Sequence, residues 1–223
     1  MKKLQQITSL TIANKRHSTL GCLAFGLVLM ALSGCAVLPD KPVRPAVYDF
    51  GPGQSAAFAS ASAATLPALA LADIDAPAAL DGTAMLYRLA YADVQQLRPY
   101  AQARWSMAPA QLVRQRLRDQ LSQTRVVLGV GDGAVAATLR LELEEFTHVF
   151  EAPDRSAGLV RLRATLVQNA GGRERAVAQR RFSVQRPAPS ADAAGGVRAL
   201  TAATDAAIGE VAQWLQPLMP PAR

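Results

Sequence analysis

The chain has 223 residues, a formal net charge of +7 and two cysteines. Lys2, Lys3, Lys15 and Arg16 come before any acidic residue, and without the first 34 residues the charge falls to +3, which gives no support to nucleic-acid binding. Cys35 is then the single cysteine, so no disulfide framework forms within the chain and stability must come from packing.

Behind the basic stretch, residues 20–32 are an apolar run of 13 residues. This is the n-region and h-region order of a secretory signal, and it is shorter than the roughly 20 residues of a spanning helix. Cys22 reads as an apolar member of that run. Leu32, Ser33, Gly34 and Cys35 resemble a bacterial lipobox. The resemblance implies that the Cys35 thiol receives a diacylglycerol, that residues 1–34 are cut away as the signal peptide, and that the new amino terminus is acylated. The acyl chains on Cys35 would then hold the protein to a membrane, because two or more chains anchor stably at about 0.8 kcal/mol per buried methylene. Ala36 stands where an aspartate would resemble an inner-membrane retention signal. The implied address is the outer membrane, lipid-anchored and facing the periplasm.

Residues 35–46 carry Pro39, Pro42 and Pro45 and read as a tether, since this spacing favours extended polyproline II. Residues 47–50 read as a first strand, ended by Gly51, Pro52 and Gly53. The Ala- and Ser-rich residues 54–66 fit a surface loop or a weak helix. A second strand is expected around Leu69, Leu71 and Asp73, stopped by Pro77. In a third, Met85, Tyr87, Leu89 and Tyr91 share one parity and Arg88 the other. Residues 93–106 read as a polar connection carrying Tyr100, Arg104 and Trp105. Pro109 then opens a helix at the position that best tolerates proline, with Leu112, Val113, Leu117 and Leu121 as its apolar stripe.

Residues 125–130 are a β-branched run, Gly131, Asp132 and Gly133 a turn, and residues 137–150 alternate through Leu139, Leu141 and Leu143. Together they suggest a hairpin or adjacent strands. Residues 159–168 and 173–185 flank Asn169, Ala170, Gly171 and Gly172 and suggest a second hairpin. Val197, Leu200, Thr204, Ile208, Val211 and Leu215 recur at helical spacing until Pro217. The expected fold is α/β (α+β): a single mixed, largely antiparallel sheet with two long helices packed on one face, spanning residues 47–219 before a short tail at 220–223.

Catalytic patterns are sparse. His148 is the single histidine beyond the signal, and no Gly-x-Ser-x-Gly elbow supplies a nucleophile. On a strand, Glu142, Glu144 and His148 share one face while Glu145 points away. Spread over about 20 Å, they do not converge on a metal and read as a solvated face. Gly129, Gly131 and Gly133 lack a following Gly-Lys-Ser/Thr and read as a turn, so no nucleotide site, metal or other cofactor is expected.

One stretch carries a family resemblance: Tyr87 and Arg88, then Tyr100, Arg104, Trp105 and Pro109, then Leu112, Arg116, Leu117, Arg118 and Leu121, with Trp214 and Leu215 closing the last helix. With the lipobox, this pattern resembles the ABC-type transport auxiliary lipoproteins, the PqiC-like group. The long 54–66 segment departs from it, as does Ser106-Met107-Ala108, where an acidic or proline-rich stretch is often seen. The resemblance implies a non-enzymatic accessory or docking component of an intermembrane lipid transport system. Its implied partners are an MCE-domain protein and ABC transporter components, with phospholipid binding and a homo-oligomer as further expectations. Arg104, Trp105 and Tyr100 are the candidate partner-binding residues, because arginine and aromatic side chains often anchor interfaces. The competing expectations are that Trp105 plugs the end of the sheet and that Tyr87 and Tyr91 belong to the core. A lipid- or envelope-polymer-binding lipoprotein acting alone ranks second in function, and an envelope hydrolase third.

Overall fold

The computed structural model describes residues 44–53, 66–132, 135–170 and 173–220. The signal, the lipobox with Cys35, the proline-containing tether up to residue 43 and nearly all of the Ala/Ser-rich segment lie outside the described residues. In chain order the elements are β1 (Ala46–Tyr48), β2 (Leu66–Asp75), a 3-10 turn (Ala78–Leu80), β3 (Ala84–Leu89), β4 (Leu97–Trp105), α1 (Pro109–Ser122), β5 (Arg125–Leu128), β6 (Ala137–Ala152), β7 (Arg155–Ala170), β8 (Arg173–Pro187) and α2 (Ala193–Leu215).

β6 is the strand on which the sheet is assembled. Along one edge it pairs with antiparallel β7 over nearly its whole length. Its other edge is shared: β2 lies parallel to the first half and β3 parallel to the second. The 3-10 turn between them is therefore a break in one long flank. β4 adds antiparallel to β3, and β1 adds parallel to β4. β8 closes the far side by pairing with β7 alone. The long ladders are antiparallel and four short ones parallel, so the single mixed sheet expected from the alternation is the one observed.

Both helices cover one face. Pro109 is at the start of α1, which buries Leu112, Val113, Leu117 and Leu121, and α2 buries Val197, Leu200, Thr204, Ile208, Val211 and Leu215. Asp192 caps α2 by accepting a hydrogen bond from the Gly195 backbone N–H at 2.7 Å, satisfying one of the donors a helix start leaves free. Between helices and sheet lies one continuous apolar core that includes Leu69, Leu139, Leu162, Phe146 and Trp105.

Four expectations need correction. Residues 125–128 and 137–152 do not form a hairpin and are not neighbours. β2 lies between them, with Ala70 level with both Leu128 and Thr138, so the chain crosses from one flank of β2 to the other. The 93–106 connection is mostly strand, because Leu97–Trp105 finds partners on β3 and β1. Tyr91 lies past the end of β3 in a turn and is 48% exposed. His148 is not on a solvated face. A register shift between Leu143 and Glu145 inserts an extra residue and reverses the parity of β6, turning Phe146, His148 and Phe150 inward.

Candidate partner-binding surface

Alternation along β4 separates the three candidate residues. Ala103 and Trp105 point into the core and Arg104 points out. Trp105 is 1% exposed and meets Phe50 and Phe146 edge-on, with ring centres 5.8 and 5.4 Å away. Its indole N–H has no hydrogen-bond partner among the described residues. The ring closes the end of the core where α1 begins. Arg104 is exposed and sits beside Val47 of β1 in the parallel register, and Val47 is 54% exposed. Paired residues share a sheet face. At this end the sheet thus presents a guanidinium next to an apolar side chain, on a three-residue edge strand whose outer side is unpaired among the described residues.

Tyr100 is half-buried and belongs to a different neighbourhood. Its ring lies 4.6 Å from that of Tyr87, and its hydroxyl 2.9 Å from Nδ1 of His148. Burial, reinforced by Tyr87 and Asp192, pushes the phenol well above its ordinary pKa. His148 is 0% exposed, and burial pushes its pKa down to about 4, partly opposed by the Asp192 carboxylate. Taking a charge out of water disfavours the charged form. This imidazole is therefore neutral at ordinary pH, and its Nε2 has no hydrogen-bond partner among the described residues.

The segment after β1 is fastened to the two helices. Arg116 of α1 donates from Nε to Asp205 Oδ1 of α2 at 2.8 Å and from an Nη to the Phe50 carbonyl at 3.1 Å. One side chain so fastens the first strand's exit to the crossing of the two helices. On either side of this strap are open grooves of about 450 and 420 Å³, the first reaching Tyr48, Val197 and Ala202, the second Met107 and Leu112. No local signal pointed to the strap, since Arg116 and Asp205 lie 89 residues apart.

The remaining polar groups are mostly committed elsewhere. Glu144 accepts from Arg163 and Arg181. Its burial alone would raise its pKa, but these two partners outweigh that and hold the carboxyl below its usual range. Glu142 pairs with Arg163, Glu145 with Arg88 and Arg140 with Glu174. Among the described residues no group of three or more His, Cys, Asp or Glu is placed to hold a metal ion. No helix there is long and apolar enough to cross a membrane.

Residues 48–212 match the family model of the ABC-type transport auxiliary lipoprotein component. The chain belongs to this family. The match takes the auxiliary lipoprotein from the end of β1 into the last turn of α2, so Arg104, the Arg116 strap and the Tyr100–His148 contact all lie within it. Among solved structures, the auxiliary lipoprotein is similar to protein XCC0632 from Xanthomonas campestris, at 20% identity over 67% of this chain and 86% of that one, with a TM-score of 0.58. It is also similar to an uncharacterised protein at 16% identity over 78% of this chain and 99% of that one, again with a TM-score of 0.58. At these identities the likeness concerns the fold. No curated protein matches the chain.

Proposed function

We propose that the protein is a non-enzymatic docking component of an MCE/ABC-type intermembrane lipid transport system, held in the outer membrane by acyl chains on Cys35 and facing the periplasm. The observation that carries this reading is the family match over residues 48–212. The lipobox residues Leu32, Ser33, Gly34 and Cys35 and the neutral Ala36 support the anchor and its address. Residues 36–46 then act as tether and residues 47–219 as the working domain.

Arg104 is the contact residue of this reading, with Val47 as its apolar neighbour. Exposed arginine beside apolar surface is a frequent composition at interface centres. Trp105 supports the margin from beneath, and Tyr100 holds β4 to the core, so both position the surface and neither touches the partner.

The test is crosslinking in intact cells, purification of the lipidated protein, and mass spectrometry of proteins and lipids together. Recovery of an MCE-domain protein with its ABC transporter is expected, falling at least tenfold in Arg104→Glu. Stoichiometric lipid without such partners would overturn the docking role and favour an independent carrier.

A further inference from the structure

Some arginines of the sheet are ion-paired and others are not. On the face away from the helices Arg140, Arg163 and Arg181 each have a glutamate partner, as does Arg155 near the end of the β6–β7 hairpin. Others, Arg98, Arg104 and Arg161 among them, have no acidic partner among the described residues, and the edge strand β8 holds four more on one strand. Arg173, Arg175, Arg180 and Arg186 are exposed and have no acidic partner among the described residues.

Register places all four on the same side. Arg180 and Arg186 share the parity of the buried Phe182 and Val184. A shift between Leu166 and Val167 skips Val177, and this one-residue bulge restores Arg173 and Arg175 to that face although their spacing from Arg180 is odd. Arg180 lies 5.2 Å over the Phe182 ring, and Val177, at the bulge, is 39% exposed. The strand thus carries an uncompensated basic row along one margin of the helix-bearing face. Charges on an edge strand also keep copies of a protein from pairing edge to edge, and two such rows repel one another. A second copy of this chain is therefore a poor occupant.

We propose that this row rests on anionic phospholipid headgroups of the membrane that holds Cys35. The inference builds on the lipid-anchored reading above. The nine steps along the chain from Cys35 to Arg44 span at most about 30 Å. The five strand spacings from β1 to β8 amount to about 24 Å, so the anchor lets the far margin reach the bilayer. Tethering makes the encounter intramolecular, with an effective concentration in the millimolar range. Each arginine near an anionic surface then contributes about a factor of five in partition. The arginines orient the domain, and the acyl chains retain it.

The test uses the mature chain with Cys35→Ser, which removes acyl insertion from the measurement, and vesicles of phosphatidylcholine alone or with about one third phosphatidylglycerol. The expected result is at least tenfold stronger binding to the anionic vesicles, lost in 0.5 M salt (about 4 Å screening length). Arg173→Gln/Arg175→Gln/Arg180→Gln/Arg186→Gln should abolish the preference. Arg173→Gln/Arg175→Gln, which leaves the Arg180–Phe182 contact intact, should reduce it, and both variants should keep the parent's thermal midpoint within a few degrees. Arg140→Gln/Arg155→Gln removes two charges from elsewhere and should leave binding within twofold. Equal binding to both vesicles, persistence in the fourfold variant, or an equal loss in the Arg140/Arg155 control would overturn the proposal. So would an absence of preference together with a photocrosslinker at Val177 that captures protein and not lipid in cells, which would assign the row to an acidic protein. The mass of the Cys35 peptide from cells tests the anchor separately, since an unmodified thiol refutes the anchor whatever the vesicles show.

Discussion

The Tyr100 hydroxyl reaches Nδ1 of His148 at 2.9 Å although β3 lies between their strands. Backbone pairing alone would leave β4 attached through β3. This side-chain bridge ties it directly to β6, the strand that organises the sheet. With the ring neutral, a single proton joins the two atoms, carried by the hydroxyl or by Nδ1 according to the tautomer.

That arrangement makes stability depend on pH. The folded pKa of His148, about 4, is below its ordinary value of 6.5, so the unfolded chain binds the proton first. The stabilisation is present above pH 6.5 and is lost as pH falls from 6.5 towards 4, by on the order of 3 kcal/mol. Urea midpoints measured from pH 7.5 to 4 should show this decline in the parent and a flatter profile in His148→Gln. Parallel profiles would mean that protonation of this ring is not penalised.

Two glycines should respond in opposite directions to alanine. A Cβ at Gly158 of β7 would lie 2.5 Å from the Leu200 nitrogen of α2, whereas one at Gly209 meets nothing within 4 Å. Gly158→Ala must push helix from sheet and should cost about 2–3 kcal/mol. Gly209→Ala should gain up to about 1 kcal/mol through helix propensity. Chemical denaturation of the two variants reads both numbers.

Adjacent residues of β4 differ in what they contribute to stability. Trp105→Ala empties the aromatic cluster with Phe50 and Phe146 and should cost about 3–5 kcal/mol. Arg104→Ala, at an exposed position, should stay within about 0.5 kcal/mol of the parent. A thermal scan distinguishes them, and a large loss in Arg104→Ala would mean that this side chain serves the fold.

Arg125 is the opposite of an exposed charge. It is 2% exposed, its Nη1 lies 3.4 Å from the Met219 sulfur, and its Nε has no hydrogen-bond partner among the described residues. Burial lowers the pKa of the guanidinium. Among the described residues it has no acidic partner, and replacing such a buried cation with an apolar chain of similar length is often neutral or stabilising. Arg125→Met should therefore unfold at equal or higher denaturant concentration, and a loss of several kcal/mol would show that the charge has a favourable partner.

Much of the fold was legible because its signals are local. The 3,4 spacing from Val197 to Leu215 describes α2 whatever it packs on, and Pro109 marks the start of α1 by its own stereochemistry. The alternation on either side of Asn169-Ala170-Gly171-Gly172 specifies the β7–β8 hairpin, since both strands and their turn are contiguous. The candidate surface was only partly legible. Arg104 and Trp105 were visible as residues of interest, but their separation to opposite faces follows from β4 being a strand, and that depends on partners far away in the chain.

The amino-acid sequence by itself determined the family, the mixed sheet with two helices on one face and the residue types at the candidate surface, because these rest on short-range periodicity and motif. Only the tertiary structure decided that β2 lies between β5 and β6, that His148 is buried, that Arg116 straps β1 to the helix crossing and that four arginines of β8 share one side. Each depends on register. A one-residue bulge reverses every side chain beyond it at little cost to the local pattern, and only the partner strand determines where that bulge falls.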